Sequence, residues 1–168
     1  MFRTTFGHCP IQFIVQNAHK ISATEWDFVD ANVKNLLSFG FISQSRETRY
    51  ASARVAVRKK DEEENYTDFR QCGDYRPLNK HTIQDKYPLP NIDDIFTDMV
   101  DAKIFIKLDL EQGYHEIPVK EEDKAKTAFW GARRQLYEWN VFPYGLKNAP
   151  PFFQRLLDKM LAGCPHAR

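Results

Sequence analysis

Ile104-Phe-Ile-Lys-Leu-Asp-Leu-Glu-Gln-Gly-Tyr-His115 decides how this chain is read. The first seven residues are apolar except for Lys107 and Asp109, and side chains alternate across a strand. Ile104, Ile106, Leu108 and Leu110 therefore fall on one face, and Phe105, Lys107 and Asp109 on the other. The pattern predicts a strand over 104–110 that runs into a glycine-containing turn. An ionised carboxylate among apolar neighbours is costly unless a partner, a proton or a metal offsets the cost. At the carboxyl end of a strand, Asp109 could face a cleft and hold a hard divalent cation. A capped or ion-paired aspartate at a strand edge is the competing reading, and this segment alone leaves both open.

The flanks extend the picture. Upstream, Tyr87-Pro-Leu-Pro90 is an extended connector, since each proline restrains itself and the residue before it. Ile92, Ile95, Phe96, Met99 and Val100 then recur at helical spacing. Downstream, short strands are expected near His115–Val119, Thr127–Gly131 and Leu136–Val141. Phe142-Pro-Tyr-Gly145 turns the chain. Asn148 is placed to cap a last helix with prolines in its first turn and Phe153, Leu156, Leu157, Met160 and Leu161 on one face. Nearer the amino terminus, Ser22-Ala-Thr-Glu25 is a capping-box pattern, followed by Trp26, Val29, Val33, Leu36 and Leu37 until Gly40. Residues 53–59 and Phe69–Tyr75 read as two strands of a hairpin, with a polar loop over 61–68. Helices and strands mix without regular alternation, so the fold class is α+β.

Composition agrees with a folded globule: 168 residues, 42% hydrophobic and 14% aromatic. The net charge of +1 says nothing about partners, but its distribution does. Arg46, Arg49, Arg54, Arg58, Lys59 and Lys60 face only Glu47, and the acidic run Asp61-Glu-Glu-Glu64 follows at once. Cys9, Cys72 and Cys164 are widely separated, and neither they nor the histidines show zinc-ligand spacing. No apolar run has membrane-spanning length and residues 1–16 lack a signal-peptide pattern, so an intracellular, cytoplasmic location is expected.

Lys and Arg on facing strands can clamp a polyphosphate, the ammonium as a point charge and the guanidinium as a fork on two oxygens. A solvated hairpin with charged sides is the plainer alternative. The order of motifs adds a resemblance. Val57-Arg-Lys-Lys-Asp61, Asp74-Tyr-Arg-Pro-Leu-Asn-Lys80 and Asp85-Lys-Tyr-Pro-Leu-Pro90 with Ile92-Asp-Asp94 come first. Lys107-Leu-Asp-Leu-Glu-Gln-Gly-Tyr-His115, Lys126-Thr-Ala-Phe129 and Phe142-Pro-Tyr-Gly-Leu-Lys-Asn-Ala-Pro150 with Phe153-Gln-Arg155 follow. Together they resemble the reverse transcriptase of gypsy-type long-terminal-repeat retrotransposons, from about Ile21 to Leu161.

The resemblance implies a right-hand polymerase truncated to fingers and partial palm, with mixed helices and antiparallel strands. Residues 1–20 would be an amino-terminal extension, 21–83 fingers, 84–116 the first palm part, 117–148 a second fingers part, and 149–168 the start of further palm. The implied activity is RNA-directed DNA polymerisation from an RNA or DNA template with primer and deoxynucleoside triphosphates, using Mg²⁺ or Mn²⁺. Asp109 would be a catalytic metal ligand, joined by the main-chain carbonyl of Leu110. Lys59 and Arg70 would hold the triphosphate, with the Gln112–Gly113 backbone close to the phosphates. Tyr114 would lie under the sugar and exclude a 2′-hydroxyl. Tyr144 would border the nucleotide, Gly145 the nucleotide and template, and Arg76 the template strand.

Departures matter too. The family's other two metal-binding aspartates lie in a Tyr-x-Asp-Asp hairpin beyond the last helix, which Arg168 precedes. Further palm, thumb and ribonuclease H portions would be partners, and the isolated chain is expected to be inactive. The alternative is a non-catalytic nucleic-acid-binding or interaction remnant of a retroelement. The acidic loop 61–68 would oppose a triphosphate. Gly73 stands where an apolar strand residue is expected, and Phe152 would add bulk near the nucleotide.

Overall fold

A computed structural model describes residues 13–17, 23–47, 49–60, 66–100 and 102–164. Its elements are β1 (Ile14–Val15), α1 (Ala23–Ser38), β2 (Ile42–Gln44), β3 (Tyr50–Ala51), β4 (Arg54–Lys60), β5 (Tyr66–Gly73), α2 (Arg76–His81), α3 (Ile92–Asp98), α4 (Glu121–Lys124), β6 (Phe129–Trp130), β7 (Leu136–Trp139) and α5 (Ala149–Met160). Short 3₁₀ turns occupy Gly113–Glu116 and Ala125–Thr127. The mixture is α+β, as expected. The sheets are small: β2-β7-β6 antiparallel, β1 parallel to β3, and the antiparallel hairpin β4-β5.

α1 forms where the capping pattern placed it, with Val29 and Val33 buried and Leu36 half-buried. Trp26 and Leu37 stay largely exposed, so the buried stripe is narrower than the sequence spacing implies. Gly40 ends the helix at φ +71, a left-handed position that glycine takes without strain. The stripe packs on Ile42, Phe129, Tyr137 and Trp139 of the β2-β7-β6 sheet. A second core gathers Tyr75, Leu78, Ile117, Val119, Phe142, Leu146 and Ala149, with Tyr114, Phe152, Phe153 and Leu156 against it. These two cores hold the segments that carry the motifs.

Several sequence expectations are corrected. Residues 104–110 form no strand, and the apolar side chains stand in solvent: Ile104 is 84%, Ile106 83% and Leu108 86% exposed. A strand exists by pairing, and no described strand lies alongside this one. The alternation is real, but its partner is not among the described residues. The strand expected over Phe69–Tyr75 ends at Gly73, and Asp74 and Tyr75 lead into α2: Pro77 suits the first helical turn, and Asp74 Oδ1 accepts from Arg76 N at 3.2 Å. In place of a strand over His115–Val119 there is a 3₁₀ turn and a single bridge between Pro118 and Val141. Asn148 precedes α5 without capping it by its side chain. That side chain ties down the connector instead, donating to Ile83 O at 2.8 Å and accepting from Asp85 N at 3.0 Å.

Candidate nucleotide and nucleic-acid site

Tyr114, Tyr144 and Gly113 converge on one patch. Tyr114 follows the left-handed Gln112 (φ 53, ψ 40) and Gly113 at the head of the 3₁₀ turn, which throws its ring onto the start of α5. The ring meets Tyr144 edge-on at 5.4 Å and Phe153 edge-on at 5.2 Å. A Cβ on Gly113 would lie 2.9 Å from Phe153 Cζ, so the close approach requires glycine here. Burial, with Tyr144 nearby, pushes the Tyr114 phenol above its ordinary pKa and keeps it neutral. Phe153, which the sequence places on a helix face and in the Phe153-Gln-Arg155 motif, supports the Tyr114 ring, a contact that its helical spacing gives no sign of. Phe152 turns the other way and stacks on Phe142 (5.5 Å, 11° between planes), so its bulk serves the core, not the nucleotide patch.

Asp109 lies on the exposed segment just before this turn. Among the described residues it has no hydrogen bond or ion pair, and no three acidic, histidine or cysteine side chains come together there. The Asp109 carboxylate and the Leu110 carbonyl are the right kind of donor for Mg²⁺. They fall short of the roughly six oxygens the ion takes. The donor set fits in type and not in number.

The β4-β5 hairpin carries the expected cations at backbone level. Arg70 pairs in register with Val57, and the register shifts between Arg58 and Lys60, at Lys59. The side chains of Lys59 and Arg70, and the acidic run Asp61-Glu-Glu-Glu64 with Asn65, lie outside the described residues. At the base of the hairpin, Gly73 proves necessary: a Cβ would sit 2.6 Å from the Tyr75 ring. Gly145, at φ +93, packs over Gly73 O and the same ring, so the turn at 142–145 is docked on the hairpin base. Asn79 of α2 clasps this turn, donating to Gly145 O and accepting from Lys147 N, each at 2.8 Å.

Arg76 is exposed, and its guanidinium is held from below. Its Nε and Nη2 donate to Asp74 Oδ1 and Oδ2, both at 2.8 Å. Asp74 is buried, and the Arg76 hydrogen bonds hold its carboxyl at about 2, below the ordinary 3.8. The unfolded chain therefore takes up this proton first as pH falls. The pair's contribution to stability is complete above pH about 4 and is lost as pH drops toward about 2. Urea midpoints measured through this range should fall steeply in the parent chain and much less in Asp74→Asn. Parallel acid limbs would show that the pair contributes nothing.

With the geometry in place, comparison with known proteins is direct. Residues 57–167 match the family model "Reverse transcriptase (RNA-dependent DNA polymerase)". The chain is 40% identical over 135 residues to the retrovirus-related Pol polyprotein from transposon gypsy of Drosophila melanogaster. That match covers 80% of this chain and 13% of the relative. It is 35% identical over 150 residues to the corresponding polyprotein from transposon 297 of the same fly, with 89% and 13% covered. In fold it is similar to a foamy viral protease-reverse transcriptase in complex with an RNA/DNA hybrid, at a TM-score of 0.73 and 20% identity, over 90% of this chain and 19% of that one. The chain thus spans about an eighth of its polyprotein relatives, and the gypsy-type resemblance read from its motifs holds. It belongs to the reverse transcriptase (RNA-dependent DNA polymerase) family.

Proposed function

We propose that this chain is the nucleotide- and template-contacting part of a polymerase carried on a retrotransposon polyprotein, copying RNA or DNA into DNA. Residues 21–83 and 117–148 serve as fingers, and 84–116 with 149–168 as palm. The observation that supports this best is the joined patch of Gly113, Tyr114 and Tyr144, which begins four residues along the chain from Asp109, a carboxylate without a partner among the described residues. A small backbone, a flat ring and a free acid are what a deoxynucleotide needs beneath its phosphates, its sugar and its reacting end. Lys59 and Arg70 neutralise the triphosphate as charge shifts during transfer. Arg76, preset by Asp74, and Gly145 steady the template strand. Mg²⁺ or Mn²⁺ would supply the Lewis acidity of nucleotidyl transfer. No helix among the described residues is long and apolar enough to cross a membrane.

The Tyr114 ring is the sugar gate in this reading. In a polyprotein of the relatives' length, Tyr114→Ala should raise ribonucleotide incorporation relative to deoxynucleotide by about tenfold or more. Removing a steric exclusion recovers at least ~1.4 kcal/mol of discrimination. Steady-state incorporation of paired ribo- and deoxynucleotides measures it, and an unchanged ratio would remove Tyr114 from the gate.

The absence of a metal-ligating cluster among the described residues favours a second reading for these residues by themselves: a nucleic-acid-binding module without catalysis. Duplex binding without primer extension, persisting when the chain is carried in the longer protein, would select it.

A further inference from the structure

His115 sits in a place that chemistry would give to phenylalanine. It is 8% exposed, stacked on Trp139 at 5.2 Å, with Phe41 and Tyr144 each 5.1 Å from its ring. Its Nε2 is buried without a hydrogen-bond partner among the described residues. An aromatic hydrocarbon would fill this cage equally well and leave no polar atom stranded. The imidazole has one polar return. Its Nδ1 is 2.9 Å from Gln112 Oε1, while the His115 backbone N–H donates to Gln112 O at 2.7 Å. Gln112 is the residue at φ 53, a left-handed conformation that a glutamine side chain disfavours and that something must hold.

We propose that His115 is a positioning residue: as a neutral imidazole donating from Nδ1, it clamps Gln112 in its left-handed conformation and so aims the Gln112–Gly113 backbone and the Tyr114 ring at the nucleotide. The proposal rests on the polymerase reading for the identity of the ligand, and on this chain's own contacts for the clamp. Burial lowers the imidazole's pKa, which keeps the ring uncharged at neutral pH. The neutral tautomer with its proton on Nδ1 strands only a lone pair at Nε2, whereas the other tautomer would strand an N–H donor. Immediately after the clamp, Gly113 lies against Phe153 with no room for a Cβ, so a change at Gln112 is passed directly to the turn that carries Tyr114.

The test separates position from stability. In the 168-residue chain, His115→Phe should leave the thermal midpoint unchanged or raise it. At the same time, amide protection of residues 112–114 should fall about fivefold to tenfold, the loss of one local hydrogen bond. Adding Gln112→Gly to His115→Phe removes the need for a clamp, because glycine takes positive φ freely, and protection should return. Titration with dATP and Mg²⁺, followed by the amide signals of residues 112–114, should show a response in the parent. The response should be lost in His115→Phe and recovered in the double variant. Unchanged protection in His115→Phe, or no recovery with Gln112→Gly, overturns the clamp. A clamp that behaves as described while no variant, the parent included, responds to dATP overturns the nucleotide as its purpose and the polymerase reading with it.

Discussion

Asp109→Asn, placed in a polyprotein of the relatives' length, should abolish RNA-templated primer extension while leaving the fold untouched. The second half of that expectation comes from the structure. Asp109 is exposed, and among the described residues no hydrogen bond or ion pair depends on its charge. An isosteric amide there costs the fold nothing, so thermal midpoints of parent and variant should coincide. The first half comes from what a charge does at a reacting centre. Removing one group that acts on developing charge costs about 10²–10³ in rate, or roughly 2.7–4 kcal/mol. Single-turnover incorporation of one deoxynucleotide is the measurement. Retention of more than about a tenth of the parent rate would mean that the carboxylate is not part of the chemistry. The 168 residues alone should extend no primer, since among the described residues no cluster of three metal-ligating side chains forms at Asp109.

Tyr75→Ala should have the largest effect on stability. Tyr75 is 1% exposed and among the largest fully buried side chains, and it packs against both Gly73 and Gly145. Its hydroxyl donates to Thr127 O at 2.9 Å. Truncating a buried aromatic to alanine costs about 3–5 kcal/mol, and a carbonyl left unpaired adds about 1 kcal/mol. Tyr75→Phe, which keeps the ring, should lose only about 0.5–1.5 kcal/mol. Urea unfolding of the two variants separates packing from hydrogen bonding. A Tyr75→Ala cost below about 1.5 kcal/mol would show that hairpin base, α2 and turn 142–145 are not one cooperative unit.

Much of this architecture is written locally in the chain. α1 is legible because a capping box precedes Val29 and Val33 at helical spacing. α5 is legible because prolines begin it and one apolar stripe follows. The β4-β5 hairpin is legible because its polar tip interrupts two strand-forming runs. The strand expected over 104–110 fails for a reason the alternation could not contain, since pairing needs a neighbour and none of the described elements supplies one. The strand expected to reach Tyr75 stops at Gly73 because Asp74 accepts from Arg76 and the chain turns into α2 there. Gly73, which looked like a weak strand residue, is fixed by a ring two residues away. Of the candidate site, motif order singled out Asp109, Gly113, Tyr114 and Tyr144, and the fold sets the Tyr114 and Tyr144 rings against each other. The contacts of Phe153 and His115, both within the quoted motifs, are not legible in the sequence because they arise across the chain, not from spacing within it.

Nucleic acid and nucleotide should meet one defined face of this chain. The direct measurement is amide-shift mapping of the 168 residues on titration with a template–primer duplex at two salt concentrations. Shifts should cluster at residues 109–114, 144–145 and along β4 and β5. Affinity should fall with salt by roughly 0.9 log units per log unit for each phosphate neutralised. Shifts confined to the exposed side of α1, or an affinity indifferent to salt, would contradict it.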